Sequence, residues 1–213
     1  RDTDRSRGLG DVYKRQDGSE PTEESFLYKH PFSLNKTTQV KARGFKEGYH
    51  PSRVLSIIAL KAELKDALSV HPVQNGVTYK YFEGNYQKVT DIEKTPLLRT
   101  GVLSKPSIQG ASRTDHFGYI FSGLIKVPEN GVYTFQTSSD DGSVLYIDNE
   151  LVVNNDGSHA AIPATGFIAL EKGFHSYKLY YFEDYEGEHL SWAWKLPSAE
   201  TLVPIPSSVL YVE

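Results

Sequence analysis

The sequence predicts an all-β protein built on an antiparallel β-sandwich or jelly roll, and three observations lead there. Across residues 75–213, turn dipeptides recur at short intervals: Glu83-Gly84, Asn130-Gly131, Asp141-Gly142, Asp148-Asn149, Asp156-Gly157, Lys172-Gly173 and Glu186-Gly187. Between them lie strand-length runs at 77–82, 119–127, 132–137, 143–147, 151–154, 166–170, 174–182 and 190–194, the number and spacing of a two-sheet architecture. The composition agrees, with 14 Tyr and 10 Phe, side chains that favour a pleated, half-buried surface.

Within this frame, Tyr177, Leu179 and Tyr181 alternate onto one face, as a core strand requires. Trp192 and Trp194 share a face with Leu190 and are expected in the core. Residues 117–148 read as a three-stranded meander turning at Asn130-Gly131 and Asp141-Gly142. The second turn crowds Ser138, Ser139, Asp140, Asp141 and Ser143 into one exposed loop, oxygen-rich in the manner of a calcium or sugar site. The same residues also read as a plain turn, with Asp capping backbone amides and Gly142 at positive φ.

Composition narrows the function classes. The hydrophobic fraction is 38% and the mean hydropathy −0.44, and no apolar run approaches the ~20 residues of a membrane helix, so no membrane span is expected. Net charge is −4 and the Lys and Arg residues are scattered, which argues against a nucleic-acid partner and for a neutral ligand. There is no Cys, so disulfides, thiolate nucleophiles and thiolate metal sites are excluded, a composition that suits a secreted bacterial protein. There is also no Met, so the sequence is expected to be a fragment, with any signal peptide upstream of it.

Four segments are expected. Residues 1–16 are charge-dense without periodicity and read as disordered or foreign; the string SRGLGDVYKRQ resembles translated adapter sequence at the ends of metagenomic reading frames. Residues 17–58 hold about three strands, too few for a sandwich of about seven. With Asp17 to Thr22 as DGSEPT, Tyr28 and Pro31, Val40-Lys41-Ala42 and Ser52-Arg53-Val54, this segment resembles the C-terminal immunoglobulin-like module of chitobiases and β-N-acetylhexosaminidases. The resemblance implies a truncated immunoglobulin-like β module whose first strands are missing. Residues 59–74 combine helix formers with His71-Pro72 and read as a short helix or an extended linker.

Residues 75–213 resemble the protective-antigen-type domain, the lectin-like sandwich of bacterial toxins, glycosidases and yeast adhesins. The resemblance rests on Phe121-x-Gly123, Val127-Pro128, Gly131-x-Tyr133-x-Phe135, Ser139 to Ser143, Leu145 to Asp148, Leu151 to Val153, Gly157-x-His159, Gly173-x-His175 and Tyr181-Phe182. In adhesin members, two consecutive aspartates chelate calcium and the ion holds vicinal sugar hydroxyls, which implies Asp140 and Asp141 as calcium and glycan ligands. Glu183, Asp184, Glu188, Asn154, Asn155 and Asp156 are the available further ligands; Asp184 joins the metal set and Tyr185 is the aromatic candidate for stacking on a sugar. The adhesins draw an asparagine from a later loop, and the corresponding loop here, Glu183 to Glu188, has none.

His159 and His175 follow turn glycines without metal-ligand spacing, and hydrogen bonding to loop backbone is expected of both. The sequence contains no Gly-x-Ser-x-Gly elbow, no phosphate-cradling glycine loop and no run that sets two carboxylates across a cleft, so catalysis is not expected within these residues. The whole reads as a non-catalytic carbohydrate-binding or accessory C-terminal region of a secreted glycoside hydrolase of β-N-acetylhexosaminidase type, with calcium as cofactor. Its partners would be a glycan and the parent's catalytic domain, and its place the periplasm, exterior or surface of a bacterium. A structural spacer or protein-interaction module, and a fragment of a cell-surface adhesin, are the alternatives.

Overall fold

A computed structural model describes residues 10–213. The chain divides into two compact units, one ending at Glu63 and one beginning at Leu64. Residues 1–9, the larger part of the segment expected to be disordered or foreign, lie outside the described residues.

The first unit is one antiparallel sheet in the order β2-β1-β3-β4, formed by β1 (Asp11–Arg15), β2 (Phe26–Leu27), β3 (Thr38–Phe45) and β4 (Leu55–Ala59). β1 corrects the expectation that the fold begins at residue 17. Its five residues pair with β3 from Asp11 opposite Phe45 to Arg15 opposite Lys41, and Tyr13 meets Phe45 edge-on at 5.5 Å. Charge density along DVYKR gave no hint of this, because the ladder that fixes the strand is supplied by residues about thirty positions away. Val40 and Pro21 are the buried apolar side chains among the described residues of this unit, while Phe26, Leu55 and Ile57 stay largely exposed. No second layer covers the sheet among those residues.

The second unit opens with an extended segment. Of the two forms expected for residues 59–74 it takes the extended one, since Lys65 bridges Leu170 and Leu68 bridges Phe174. Then follow β5 (Val77–Glu83), a 3-10 helix (Val89–Lys94), β6 (Leu97–Leu103), β7 (Phe117–Val127), β8 (Gly131–Asp140), β9 (Ser143–Ile147) and β10 (Glu150–Asn155). The remainder is β11 (Ile162–Leu170), β12 (Gly173–Glu183), β13 (His189–Lys195), β14 (Val203–Pro204), a 3-10 turn (Ser207–Val209) and β15 (Leu210–Tyr211).

These strands make two antiparallel sheets, one ordered β10-β9-β12-β7-β5-β6 with β15 on β7, the other β11-β8-β13-β14. The sheets enclose one core that includes Phe121, Phe135, Leu145, Leu179, Tyr181, Trp192 and Trp194, with the two tryptophans buried as expected. β6 was not anticipated: LLRTGVL is exposed along nearly its whole length at the sheet edge and shows no alternation.

The strands of residues 117–148 do not form a meander. β7 and β9 belong to the larger sheet and β8 to the smaller, so Asn130-Gly131 and Asp141-Gly142 each carry the chain across the core from one sheet to the other. Alternation records which side chains face inward, and it is the same whether the next strand pairs alongside or stacks opposite. The true hairpin is the following one, where Asp148-Asn149 joins β9 to β10 and both residues have positive φ.

Candidate functional site

Because β8 and β9 lie in opposite sheets, residues 140–142 sit at one end of the sandwich, joined there by the connections after β10 and β12. The peptide between Asp140 and Asp141 is cis. Gly142 serves close approach rather than a positive φ angle: a Cβ there would collide with the Phe182 ring and lie 3.0 Å from the Gly157 nitrogen.

Asp141 is 4% exposed and ties two loops together. Its Oδ1 accepts the His159 N–H at 2.8 Å, and its Oδ2 accepts those of Asp184 at 2.7 Å and Tyr185 at 3.3 Å. Asp140 accepts the Ala161 N–H at 3.0 Å. The loop after β12 closes over Asp140 so tightly that a Cβ on Gly187, itself at φ +93°, would come within 2.7 Å of Oδ2.

Glu183, the last residue of β12, completes the group. One carboxylate oxygen from each of Asp140, Asp141 and Glu183 lies within 4.8 Å of the others. Glu183 is fully buried and its Oε1 has no hydrogen-bond partner. Its pKa is pushed up to about 8, chiefly by burial and then by the Asp141 and Asp140 charges, against the opposing hydrogen bond from Tyr181. The buried Tyr181 hydroxyl reaches the Asp140 carbonyl oxygen at 2.6 Å and Glu183 Oε2 at 2.8 Å. One hydroxyl proton cannot satisfy both acceptors fully, so a proton or a cation on Glu183 completes the arrangement.

Behind the carboxylates is a sealed polar layer. Ser139 and Ser143 share a 2.8 Å bond, Ser143 donates to Thr137 at 3.0 Å, and Asn155 donates to Ser139 at 3.0 Å and to the Ile162 carbonyl at 3.0 Å. Thr137, Ser139 and Ser143 are fully buried, which corrects the reading of the two serines as oxygens of an exposed loop. They set the backbone behind Asp140 and Asp141 and offer nothing outward.

The expected residues therefore separate. Asp140 and Asp141 come together, and Glu183 joins them from the range of further ligands. Asp184 is not brought into the group: its carboxylate accepts the Ser158 hydroxyl at 2.9 Å and lies 3.6 Å from His116. Asn155 is taken up by the buried layer, and Asp156 accepts the Val89 N–H at 2.8 Å. Tyr185 stands on the rim, 67% exposed. His159 bonds the Ala160 and Asn155 carbonyls, as expected. His175 lies beside Asp148, its Nδ1 2.6 Å from the carboxylate and its Nε2 2.8 Å from the Glu171 carbonyl. The signal that could have singled out Glu183 is its place two residues after Tyr181 on the inward face of a core strand, where a carboxylate is out of place.

With three carboxylates converging and a buried Glu183 oxygen unpartnered, this group could hold a metal ion. A PA14 domain model matches residues 73–207, and an Fn3 associated model matches residues 10–58. A β-hexosaminidase of Porphyromonas gingivalis is 25% identical over 221 residues, covering 97% of this chain and 28% of that protein. The chain thus spans a little over a quarter of that curated relative. A solved anti-sigma factor domain-containing protein from Clostridium clariflavum aligns with TM-score 0.55 at 23% identity, covering 82% of this chain and 60% of the other. A PA14 sugar-binding domain from an RTX adhesin aligns with TM-score 0.54 at 16% identity over 66% of this chain and all of that one. Epithelial adhesin 6 of Candida glabrata, solved in complex with Galb1-3GlcNAc, aligns with TM-score 0.53 at 15% identity over 68% and 90% of the two chains. At these identities the structural likeness is one of fold.

Proposed function

Because the chain belongs to the PA14 domain family, we propose that the Asp140 end of its sandwich binds a saccharide through a calcium ion held by Asp140, Asp141 and Glu183. The single observation that carries this reading is the buried Glu183 carboxylate, its Oε1 unpartnered, grouped within 4.8 Å with two aspartates. A carboxylate there without a counter-charge is costly, and a cation removes the cost while leaving coordination positions open for sugar hydroxyls. Sugar-binding adhesins among its structural neighbours support the ligand class. Tyr185, exposed at the rim, would be the residue that stacks on a ring, and Asp184 would act by anchoring its loop to Asp141 through its N–H rather than as a ligand.

In this reading residues 10–63 and 64–213 are two accessory modules of an extracellular or surface-attached bacterial glycoside hydrolase. A relative that aligns with nearly the whole chain is a β-hexosaminidase, and the catalytic domain of such a parent would be the partner. Among the described residues no helix is long and apolar enough to cross a membrane.

The test is calorimetric titration with calcium, then with a glycan panel in calcium and in chelator. Calcium binding followed by calcium-dependent glycan binding supports the proposal; heat from neither defeats it. One observation favours a second reading, a structural spacer: both Asp141 oxygens are already satisfied by three backbone amides. A spacer would keep its folding transition unchanged on calcium addition.

A further inference from the structure

The charged residues around the Asp140 site are almost all acids, and this bears on which saccharides can enter. Four stretches frame it: 113–116, 138–142, 154–161 and 183–189. They hold Asp115, Asp156, Asp184, Glu186 and Glu188 besides the three inner carboxylates. Their one Lys or Arg is Arg113, which is occupied by Glu83 at 2.9 Å. The other basic groups are His116, His159 and His189. His116 faces Asp184 at 3.6 Å, and both ring nitrogens of His159 are engaged by backbone carbonyls.

Two of these acids are held by hydrogen bonds. Asp115 accepts the Glu186 N–H at 3.1 Å, joining the loop before β7 to the loop after β12. Asp184 is held by Ser158 at 2.9 Å. Glu188 lies near enough to Glu183 for its charge to act on it. A divalent ion offsets two of the three inner carboxylates and leaves the rim charge untouched, so a ligand approaching the ion crosses a negative field.

Resting on the cation-site reading above, we infer that this site takes neutral and amine-bearing saccharides and turns away those carrying carboxylate or sulfate. Saccharide hydroxyls reach the ion without a charge penalty. A protonated amino group gains from Glu186, Glu188 and Asp115, whereas a carboxylate on the same ring is repelled by the same acids. Specificity of this kind comes from like-charge exclusion and needs no added contact.

The experiment uses the whole chain with saturating calcium. A glycan array and calorimetry compare three groups of probes: neutral oligosaccharides, their sialylated or uronate-bearing counterparts, and de-N-acetylated amine forms. At low salt the acidic counterparts should bind at least about tenfold more weakly than the neutral parents, with the amine forms at least equal to them. The gap should narrow as salt rises toward 0.5 M and the screening length falls to a few ångströms. The double variant Glu186→Gln/Glu188→Gln, which leaves Asp140, Asp141 and Glu183 in place, should shrink the gap several-fold when calcium is raised to saturate the variant as well.

Equal binding of acidic and neutral partners, or a gap insensitive to salt and to the double variant, overturns the inference and leaves the calcium-saccharide reading standing. Absence of binding in all three groups overturns both. Terbium luminescence or calcium calorimetry on the same sample reports separately whether the ion site exists.

Discussion

The short strand β9 has buried or half-buried aspartate at each end, and the two ends handle negative charge in opposite ways. After its last residue, Asp148 meets the imidazole of His175 at 2.6 Å and takes a further bond from the Ser176 N–H at 2.8 Å. His175 is fully buried with carbonyl or carboxylate oxygen at both ring nitrogens, an arrangement that suits only the doubly protonated ring. Burial would lower its pKa, yet the Asp148 hydrogen bond and charge and the Glu171 carbonyl outweigh that and raise it. Asp148 in turn is lowered against its own burial by His175 and Ser176. Before the first residue of β9, Asp141, Asp140 and Glu183 gather with only amides and one tyrosine hydroxyl around them. One end carries its own cation; the other is built so that a cation from outside fits.

The largest effect should come from taking away the built-in cation. His175→Leu strands a half-buried carboxylate and should cost roughly 3 kcal/mol in urea unfolding of the second unit. A loss below about 1 kcal/mol would mean that the Ser176 amide alone satisfies Asp148 and that the contrast between the ends is overdrawn.

Next in size is the response to calcium. At a hundredfold excess over its Kd, a ligand bound only by the folded state adds about 2.7 kcal/mol. The unfolding midpoint of the unaltered chain should rise accordingly in millimolar calcium, while Asp140→Asn/Asp141→Asn should show no rise. A calcium shift that survives in the double variant would place the ion elsewhere.

Gly142→Ala ranks third. A methyl group meets the Phe182 ring and the backbone of Gly157, neither of which yields easily, so a loss of about 1–3 kcal/mol is expected from urea unfolding. No loss would show that the loops at the Asp140 end are looser than those around His175.

How much of this was legible beforehand differs between the ends for a physical reason. The oxygen-rich run at residues 138–143 announces itself because its members are consecutive, and so does the alternation of β12. What stayed hidden depends on partners distant in sequence. Glu183 is marked as special only by Tyr181 and by loops folding over it from forty residues upstream. β1 looks like a charged tail until β3 is beside it. The crossing of residues 140–142 between sheets hides behind a pattern that a hairpin would also produce. Asp148 and His175 were each visible as a turn residue and a loop histidine, but not as a pair, since nothing local links positions twenty-seven apart.

The pH profile sharpens the contrast further. His175 is raised from 6.5, so its contribution is complete below pH 6.5 and fades as pH climbs through the higher folded value. Asp148 is lowered from 3.8, so its contribution holds above that value and is lost as pH falls through the lower folded one. Glu183, raised from 4.5 to about 8, favours the folded state while protonated, and without calcium that advantage drains away between those two values. In chelator, stability should therefore decline from pH 5 toward 8 for two separate reasons. Calcium should flatten the Glu183 part and leave the His175 part.

The smallest expected effect is also the most discriminating. Glu183→Gln replaces a carboxyl that is protonated in the calcium-free state with a neutral group of nearly the same shape, so near pH 4.5 in chelator, before the unfolded carboxyl has ionised, its stability should lie within about 0.5–1 kcal/mol of the unaltered chain. Its decline between pH 5 and 8 should shrink to the His175 share, and its midpoint should no longer rise strongly with calcium. Asp148→Asn, an equally small change at the other end of β9, should cost more, because it removes the counter-charge from a buried imidazolium. If the two amide substitutions cost the same in chelator, the ends of β9 do not differ in where their positive charge comes from.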